Sequence, residues 1–479
     1  MSSCQVVGAG APPVGRRSSA STRVAPATGV RPRPVAAALL LLAALGAAPI
    51  LATPGAAEAA PVAAREDFFW ITVGADVFAR AAEKLAPLPG WSGGVEFERF
   101  DEHEGVVLTR IPAGAIDALS DLVHTDFRRC GGFVKHESRE EADAAMARLR
   151  APRAELGTLP FTIDQPTLVG ALAGQVSEPQ ILATITSLST LFPNRYHGHH
   201  AIHLSANWIR DQWLALAAGR PDVTVQLFSH GGITPQPSVI LTIPGSTLAD
   251  EFVVLGAHQD SIRSGCSISS TPSCVAPGAD DDASGVAVLT EVIRIALANG
   301  FQPQRTIQFM AYAAEEVGLD GSDHIASTYL ANGTDVVAVF QQDMTAYEGS
   351  VNDIYLISDW TNADLNSFVG DLVDTYQPGL LRGTTACGYG CSDHAPWHDR
   401  GFRATFPFEA TFGGSNPQIH TINDTVANFG NTAAHAAKFG RLAMAFMIET
   451  GIDGPDVGLM PFLDGFETGD TSRWSATTP

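Results

Sequence analysis

The chain is 479 residues long, enough for one large α/β domain with additions or for two or three smaller domains. At 45% hydrophobic, with abundant glycine, it has the composition of a soluble globular protein. Charge is lopsided: 29 Lys plus Arg against 51 Asp plus Glu leaves a net of -22, which argues against nucleic acid and anionic membranes as partners.

Residues 1–59 read as a leader. Arg16, Arg17, Arg23, Arg31 and Arg33 make a basic start, VAAALLLLAALGAAPILA from Val35 to Ala52 is an apolar core, and AEA at Ala57–Ala59 is a small-residue cleavage site. A retained single span is the alternative, because this apolar run lies near the lower limit for crossing a bilayer. Cleavage predicts a secreted, extracellular or periplasmic protein with no membrane attachment afterwards. Of six cysteines, Cys4 leaves with the leader, and Cys266, Cys274, Cys387 and Cys391 form two close-spaced pairs typical of local disulfides in an oxidising compartment.

Residues 60–157 read as a small α+β pro-region, with a stable accessory domain as the alternative. GGVEFERFDEHEGVVLTRIPAGAIDALSDLVH predicts strand, turn, strand, helix, with VEFERF and GVVLTRI as the strands. The stretch ESREEADAAMARLRAPRAEL is a charged helix running into a linker. The single Cys130 suits a piece that is later removed.

Residues 158–450 form the main domain. LVGALAGQVSEPQILATITSLSTLF and SANWIRDQWLALAA are helical, followed by strands VTVQLFSH, SVILTIPG and EFVVLGAHQD. FVVLGA has no polar alternation, as expected of a strand buried on both faces. ASGVAVLTEVIRIALANG is a long helix closed by Gly300. RTIQFMAYAAEE, DVVAVFQQDM and DIYLIS are further strands, RATFPFEA follows, and AAHAAKFGRLAMAFMIETG is the last helix. Strands separated by helices predict an α/β fold with helices on both faces of a central sheet. Residues 451–479 are a short polar tail.

In such a sheet, ligands sit beyond the carboxyl ends of the strands. His258 and Asp260 follow FVVLGA, Glu315 and Glu316 end IQFMAYAA, and Asp343 ends VVAVFQQ. The triplet Asp280, Asp281 and Asp282 immediately precedes the long helix, and His420 lies in NPQIHTINDT. Imidazole and carboxylate together suit zinc. Two close metals need a shared carboxylate and can hold a water between them. Of two adjacent glutamates, one can hold metal while the other stays free as a base. Asp260 is placed to orient His258.

The segments HQDS, GADDDASG, AYAAEEVGLDGS, QQDMTAY, CGYGCSDHAPWH and NPQIHTINDT resemble those of the M28 family of zinc metallopeptidases, and especially the secreted bacterial leucyl aminopeptidases of the Vibrio/Aeromonas type. The likeness runs from about residue 160 to about residue 450. It implies the zinc-dependent exopeptidase (phosphorylase/hydrolase-like) fold, with a mostly parallel mixed sheet. It also implies two Zn2+ per chain, peptide substrates with a free N-terminus, an apolar first residue such as Leu, and a monomer whose own pro-region aids folding or inhibits. Residue by residue it makes Asp281 the metal bridge, with His258 and Asp343 on the first metal and Glu316 and His420 on the second. Glu315 becomes the general base that activates the bridging water, and Asp260 the support of His258. A cis peptide Asp281–Asp282 and a Cys387–Cys391 disulfide are implied too, with Tyr389 facing the substrate carbonyl and Phe406, Phe408 and Phe412 lining the substrate pocket. The family commonly has Met where Phe406 stands, which leaves pocket size open. Cys266 and Cys274 are additional to that pattern and resemble a surface loop stapled by a second disulfide, worth roughly 2 kcal/mol.

Some residues invite the same chemistry without belonging to it. His394 and His398 in SDHAPWH have metal-like spacing but are expected to be structural. His197, His199 and His200 in YHGHH are expected at the surface. Asp280 and Asp282 are expected to fix the loop and the helix start by accepting backbone N–H groups.

Overall fold

The computed structural model describes residues 68–85, 97–127, 129, 131–136, 138–151, 157–198, 204–266, 274–454 and 456. The leader, Cys4, Cys130, His199, His200 and nearly all of the tail lie outside these residues. No helix among the described residues is long and apolar enough to cross a membrane.

The N-terminal block builds one antiparallel sheet. Its strands are β1 (Phe68–Gly74), β2 (Asp101–His103), β3 (Val106–Pro112) and β4 (Phe133–His136), in the order β2-β3-β1-β4. The first strand pairing differs from expectation: the β-structure falls on Asp101–His103, after VEFERF. The tight turn at Glu104 and Gly105, both at positive φ, fixes the register of β2 against β3, so Asp101 lies opposite Leu108 and His103 opposite Val106. Ile71, Val73, Val77, Phe78, Val107, Ile111, Leu119, Val123 and Phe133 form this domain's own core. Its last helix, Arg139–Arg150, starts at Ser138, whose hydroxyl accepts the Glu141 N–H at 3.1 Å.

The larger domain carries β5 (Thr224–Phe228), β6 (Ser238–Ile243), β7 (Leu248–His258), β8 (Arg305–Tyr312), β9 (Asp335–Gln341), β10 (Ile354–Ile357), β11 (Arg382–Thr385), β12 (Ala404–Thr405) and β13 (Pro407–Phe408). The central sheet runs β12-β9-β7-β8-β6-β5. The first three neighbouring pairs are parallel and the last two antiparallel, the mostly parallel mixed sheet expected. Alternate residues bury on opposite faces. Val253, Leu255 and Ala257 of β7 join Ile307 and Phe309 under the helices Glu178–Leu191, Ala283–Ala298 and Ala434–Gly451. Val254, Met310 and Tyr312 face the other way, toward Ile325 of helix Asp320–Asn332 and Trp397 of helix His394–Asp399.

RATFPFEA and DIYLIS depart from a single-sheet picture. Ala404 and Thr405 pair with β9 at the edge of the main sheet, whereas Pro407 and Phe408 pair with β10 in a separate three-stranded sheet, β11-β10-β13. Pro407 has no N–H to give a ladder, so the chain changes partners there. The Phe406 carbonyl accepts the Ile357 N–H at 2.9 Å and holds the two sheets together.

Candidate active site

Strands β9, β7 and β8 are parallel neighbours, so their carboxyl ends open at one edge of the sheet. His258 is the last residue of β7, Glu315 and Glu316 follow β8, and Asp343 follows β9. The loop that starts helix Ala283–Ala298 brings in Asp281, and the loop after β13 brings in His420. All of these side chains are buried.

Asp281 stands between the two histidines. Its Oδ1 is 3.0 Å from His258 Nε2 and its Oδ2 is 2.9 Å from His420 Nε2. Asp343 Oδ1 lies 3.5 Å from His258 Nε2, and Glu316 Oε2 lies 3.3 Å from His420 Nε2. Two groups of convergent donor atoms result: His258, Asp281 and Asp343 make one, while Glu316 and His420 join His124 in the other. His394 and His398 belong to neither.

The supports are as ordered as the donors. The Asp260 carboxylate lies 3.4 Å from His258 Nδ1 and accepts the N–H groups of Glu315 (3.1 Å) and Glu316 (3.2 Å). One aspartate thus holds both the histidine and the glutamate turn. Asp282 accepts the His258 N–H at 3.0 Å and caps the following helix through the Gly285 N–H at 2.8 Å. Asp280 accepts the Ala346 N–H and an Asn416 Nδ2–H, both at 2.9 Å. Asp282 thus fixes the helix start as expected, whereas the Asp280 carboxylate ties the triplet to the loops at Ala346 and Asn416 instead. The peptide bond Asp281–Asp282 is cis.

Electrostatics at this edge call for cations. Burial works against charge on the imidazoles, yet the carboxylates of Asp343, Asp260 and Asp281 raise His258 well above its ordinary pKa, and Glu316 and Asp281 raise His420 to about 10. Burial opposes ionisation of Asp281 as well, but His258 and His420 overcome it and pull the carboxyl down. Burial, with added repulsion from Asp280 and Asp281, raises Asp424 well above the carboxylate range. Among the described residues Glu316 Oε1, Asp343 Oδ1 and both oxygens of Glu315 are buried with no hydrogen-bond partner. Uncompensated buried carboxylate oxygens are costly unless a cation or proton meets them. Imidazole nitrogens and carboxylate oxygens in this number fit zinc. His258, Asp281 and Asp343 form one set that could hold an ion, and His124, Glu316 and His420 a second.

Glu315 differs from its neighbour. Its side chain is fully buried and approaches neither histidine as a partner. Burial, then repulsion from Glu316, Asp343 and Asp393, raises its pKa well above the usual range, against the pull of His258. Tyr389, Cys391, Met344, Ile357, Phe406 and Phe408 form an apolar cluster, with Phe412 half-buried at its margin. The Phe406 and Phe408 rings are 5.4 Å apart, Phe408 and Phe412 6.2 Å, and Tyr389 and Phe412 6.1 Å. Both disulfides, Cys387–Cys391 and Cys266–Cys274, are formed.

Several functional neighbours carry no sign of it in sequence spacing. Asp424 accepts the N–H groups of Asp280 (3.0 Å) and Asp281 (3.1 Å), fixing the backbone of the triplet. Ser392 donates its hydroxyl to Asp343 Oδ2 at 2.6 Å. The buried Arg195 guanidinium donates to the carbonyls of Gln259, Pro277 and Gly278 and joins the loops after β7. His197 is half-buried, not at the surface: its Nδ1 lies 2.8 Å from the Thr234 hydroxyl. His394 is buried with its ring 4.9 Å from Phe406.

Known proteins resemble this chain over most of their length. The model of peptidase family M28 matches residues 238–447. A protein named probable leucine aminopeptidase from Arthroderma benhamiae is 33% identical over 294 residues, covering 60% of this chain and 78% of its own. Leucine aminopeptidase 1 of Coccidioides posadasii is 35% identical over 311 residues, covering 61% of this chain and 76% of its own. Among solved structures, the Legionella pneumophila LapA aminopeptidase superposes with a TM-score of 0.68 at 26% identity, over 81% of this chain and 100% of its own. LapB from the same organism gives 0.65 at 27%, with the same coverage. Shared identity that extends along three quarters of a leucine aminopeptidase's length is more than a common fold supplies, and the chain belongs to peptidase family M28 as a metalloaminopeptidase.

Proposed function

We propose that this chain is exported, loses its leader and pro-region, and acts as a two-zinc aminopeptidase on peptides with a free N-terminus and an apolar first residue such as Leu. The observation that carries the reading is Asp281, whose two carboxylate oxygens each face a different histidine at about hydrogen-bond distance. A carboxylate shared in this way is what a pair of ions requires. Zinc ions held there supply Lewis-acid polarisation of the scissile carbonyl and make water a nucleophile near neutral pH.

The protein's own groups do the rest. Asp260 fixes the ring of His258 and, through two N–H groups, the direction of the Glu315–Glu316 turn. Glu315 takes a proton from the attacking water and returns it to the leaving amine. A carboxylate so buried and unpartnered is free to exchange a proton with a water beside it. Tyr389, which packs with Cys391 and Phe408, would meet the substrate carbonyl. Phe406, Phe408 and Phe412 offer an apolar wall for the first side chain. Export is supported by the basic and apolar leader and by the two disulfides.

The test is a panel of aminoacyl amides, with and without an N-terminal acetyl group, offered to the processed protein. Free leucyl amide is expected to be cut and the acetylated form to survive, with a chelator stopping the reaction. Equal cleavage of the acetylated substrate sinks the aminopeptidase assignment.

A further inference from the structure

The second cluster has one donor more than an open site needs, and that donor comes from the N-terminal domain. His124 follows helix Ile116–Leu122 and is fully buried at its side chain. Its Nε2 is 2.9 Å from Glu316 Oε2, and its ring stands edge-on to that of His420 at 4.2 Å. Its Nδ1 is 2.6 Å from the Ser120 carbonyl oxygen, which can only accept, so Nδ1 carries the hydrogen. Nε2 faces the Glu316 carboxylate, and either a proton on Nε2 or a metal ion shared by the two satisfies that contact. A ring whose far nitrogen donates to a backbone carbonyl, leaving the near one free, is the ordinary setting of a metal-binding histidine.

Consecutive donor spacings around the cluster are of the size that a shared ion sets. Asp281 Oδ2, His420 Nε2, Glu316 Oε2 and His124 Nε2 follow one another at 2.9, 3.3 and 2.9 Å. Four ligands about 2.0–2.1 Å from a tetrahedral zinc lie roughly 3.3 Å apart. Zinc sites with four protein ligands are closed and structural, whereas catalytic ones keep a position open.

We infer that His124 is a fourth protein ligand of the second metal, supplied by the N-terminal domain, and that the unprocessed chain is latent because this set is closed. The inference rests on the two-metal reading above. The surroundings hold the ligand in place. Ser120 donates its hydroxyl to the Glu316 carbonyl at 2.7 Å, Asp117 accepts the Tyr196 hydroxyl at 2.5 Å, and Asp121 accepts the Gly265 N–H at 2.7 Å. Further along the same segment, Gly131 is so close to Glu315 that an added Cβ would lie 3.4 Å from its Oε1. The helix and the segment after it therefore reach both Glu316 and Glu315. Removing the domain withdraws the ligand and uncovers the base in one event.

The experiment uses the full-length chain saturated with zinc, in the parent and in His124→Ala. Zinc is counted per chain, and its release to a chromogenic chelator is then timed. Two zincs are expected in the parent, with one leaving at least about tenfold faster from the variant. Cobalt in place of zinc gives a second readout that needs no variant. In the parent, one site should show the intense visible absorption of four-coordinate cobalt. Equal release rates with two metals bound, or only the weak absorption of higher-coordinate cobalt, overturn the role of His124 and leave the two-metal reading standing. One metal per parent chain instead removes the two-metal reading itself.

Discussion

At the residue scale, the aspartate triplet and the glutamate pair show how identical side chains divide their work by position. Asp281 faces two histidines, whereas Asp280 and Asp282 face backbone N–H groups. Asp281→Asn should therefore abolish paired metal binding, while Asp280→Asn should lower stability but keep at least one zinc per chain. Metal counting after desalting separates the two, and equal loss from both would show the division to be wrong. Glu315 and Glu316 divide likewise. Glu316 reaches His420 and His124, whereas neither carboxylate oxygen of Glu315 has a hydrogen-bond partner among the described residues. Glu315→Gln should lower kcat by about 10²–10⁴-fold with zinc content unchanged. Near-parent turnover in a fully metallated variant contradicts the base role.

At the scale of elements, the site depends on how closely β7 and β8 approach. Gly256, two residues before His258, lies against the Tyr312 ring, and an added Cβ there would fall 2.2 Å from Tyr312 Cε2. Tyr312 is itself held by a Trp397 indole N–H at 3.1 Å. Gly256→Ala must displace this ring and should cost about 1–3 kcal/mol or more, read as a lower urea midpoint. A midpoint equal to the parent's would show that the ring yields freely. These strands could be placed from sequence because unbroken apolar runs such as FVVLGA mark buried parallel strands, and the polar residues at their ends stand where such a sheet opens. The partner switch at Pro407 was harder to see, because two-residue strands carry no periodicity. His124 was invisible for a different reason. It lies 192 positions from Glu316, and one histidine at the end of an amphipathic helix has no local signal of what it will meet. Asp424 likewise looks like an ordinary turn residue until Asp280 and Asp281 are seen to donate to it.

At the scale of the whole molecule, the N-terminal domain is joined to the larger one by buried polar groups, and these make its docking sensitive to acid. Lys135 of β4 pairs with Asp320 at 2.6 Å, and Arg400 pairs with Asp323 at 2.6 Å and approaches Glu141 at 3.6 Å. His136, the next residue of β4, is buried with Nε2 3.0 Å from the Thr72 hydroxyl. Burial lowers its pKa to about 4; Asp323 opposes this, while Arg400 and Arg148 reinforce it. The unfolded chain takes up this proton near pH 6.5 and the folded chain only near 4. His136 therefore gives its full stability above pH 6.5, loses it as pH falls, and levels off below 4. The complete swing is of the order of 3 kcal/mol. Asp320, raised to about 6 by burial, acts in the opposite sense: its share grows as pH falls through 6. A comparison that holds Asp320 constant isolates the histidine. The thermal midpoint of the zinc-saturated parent should fall more steeply between pH 7 and 4.5 than that of His136→Gln, which keeps a hydrogen-bonding group but cannot take up the proton. Since His136 belongs to neither metal cluster, zinc affinity does not enter the difference. Parallel curves for the two chains would mean that the domain junction does not feel this titration.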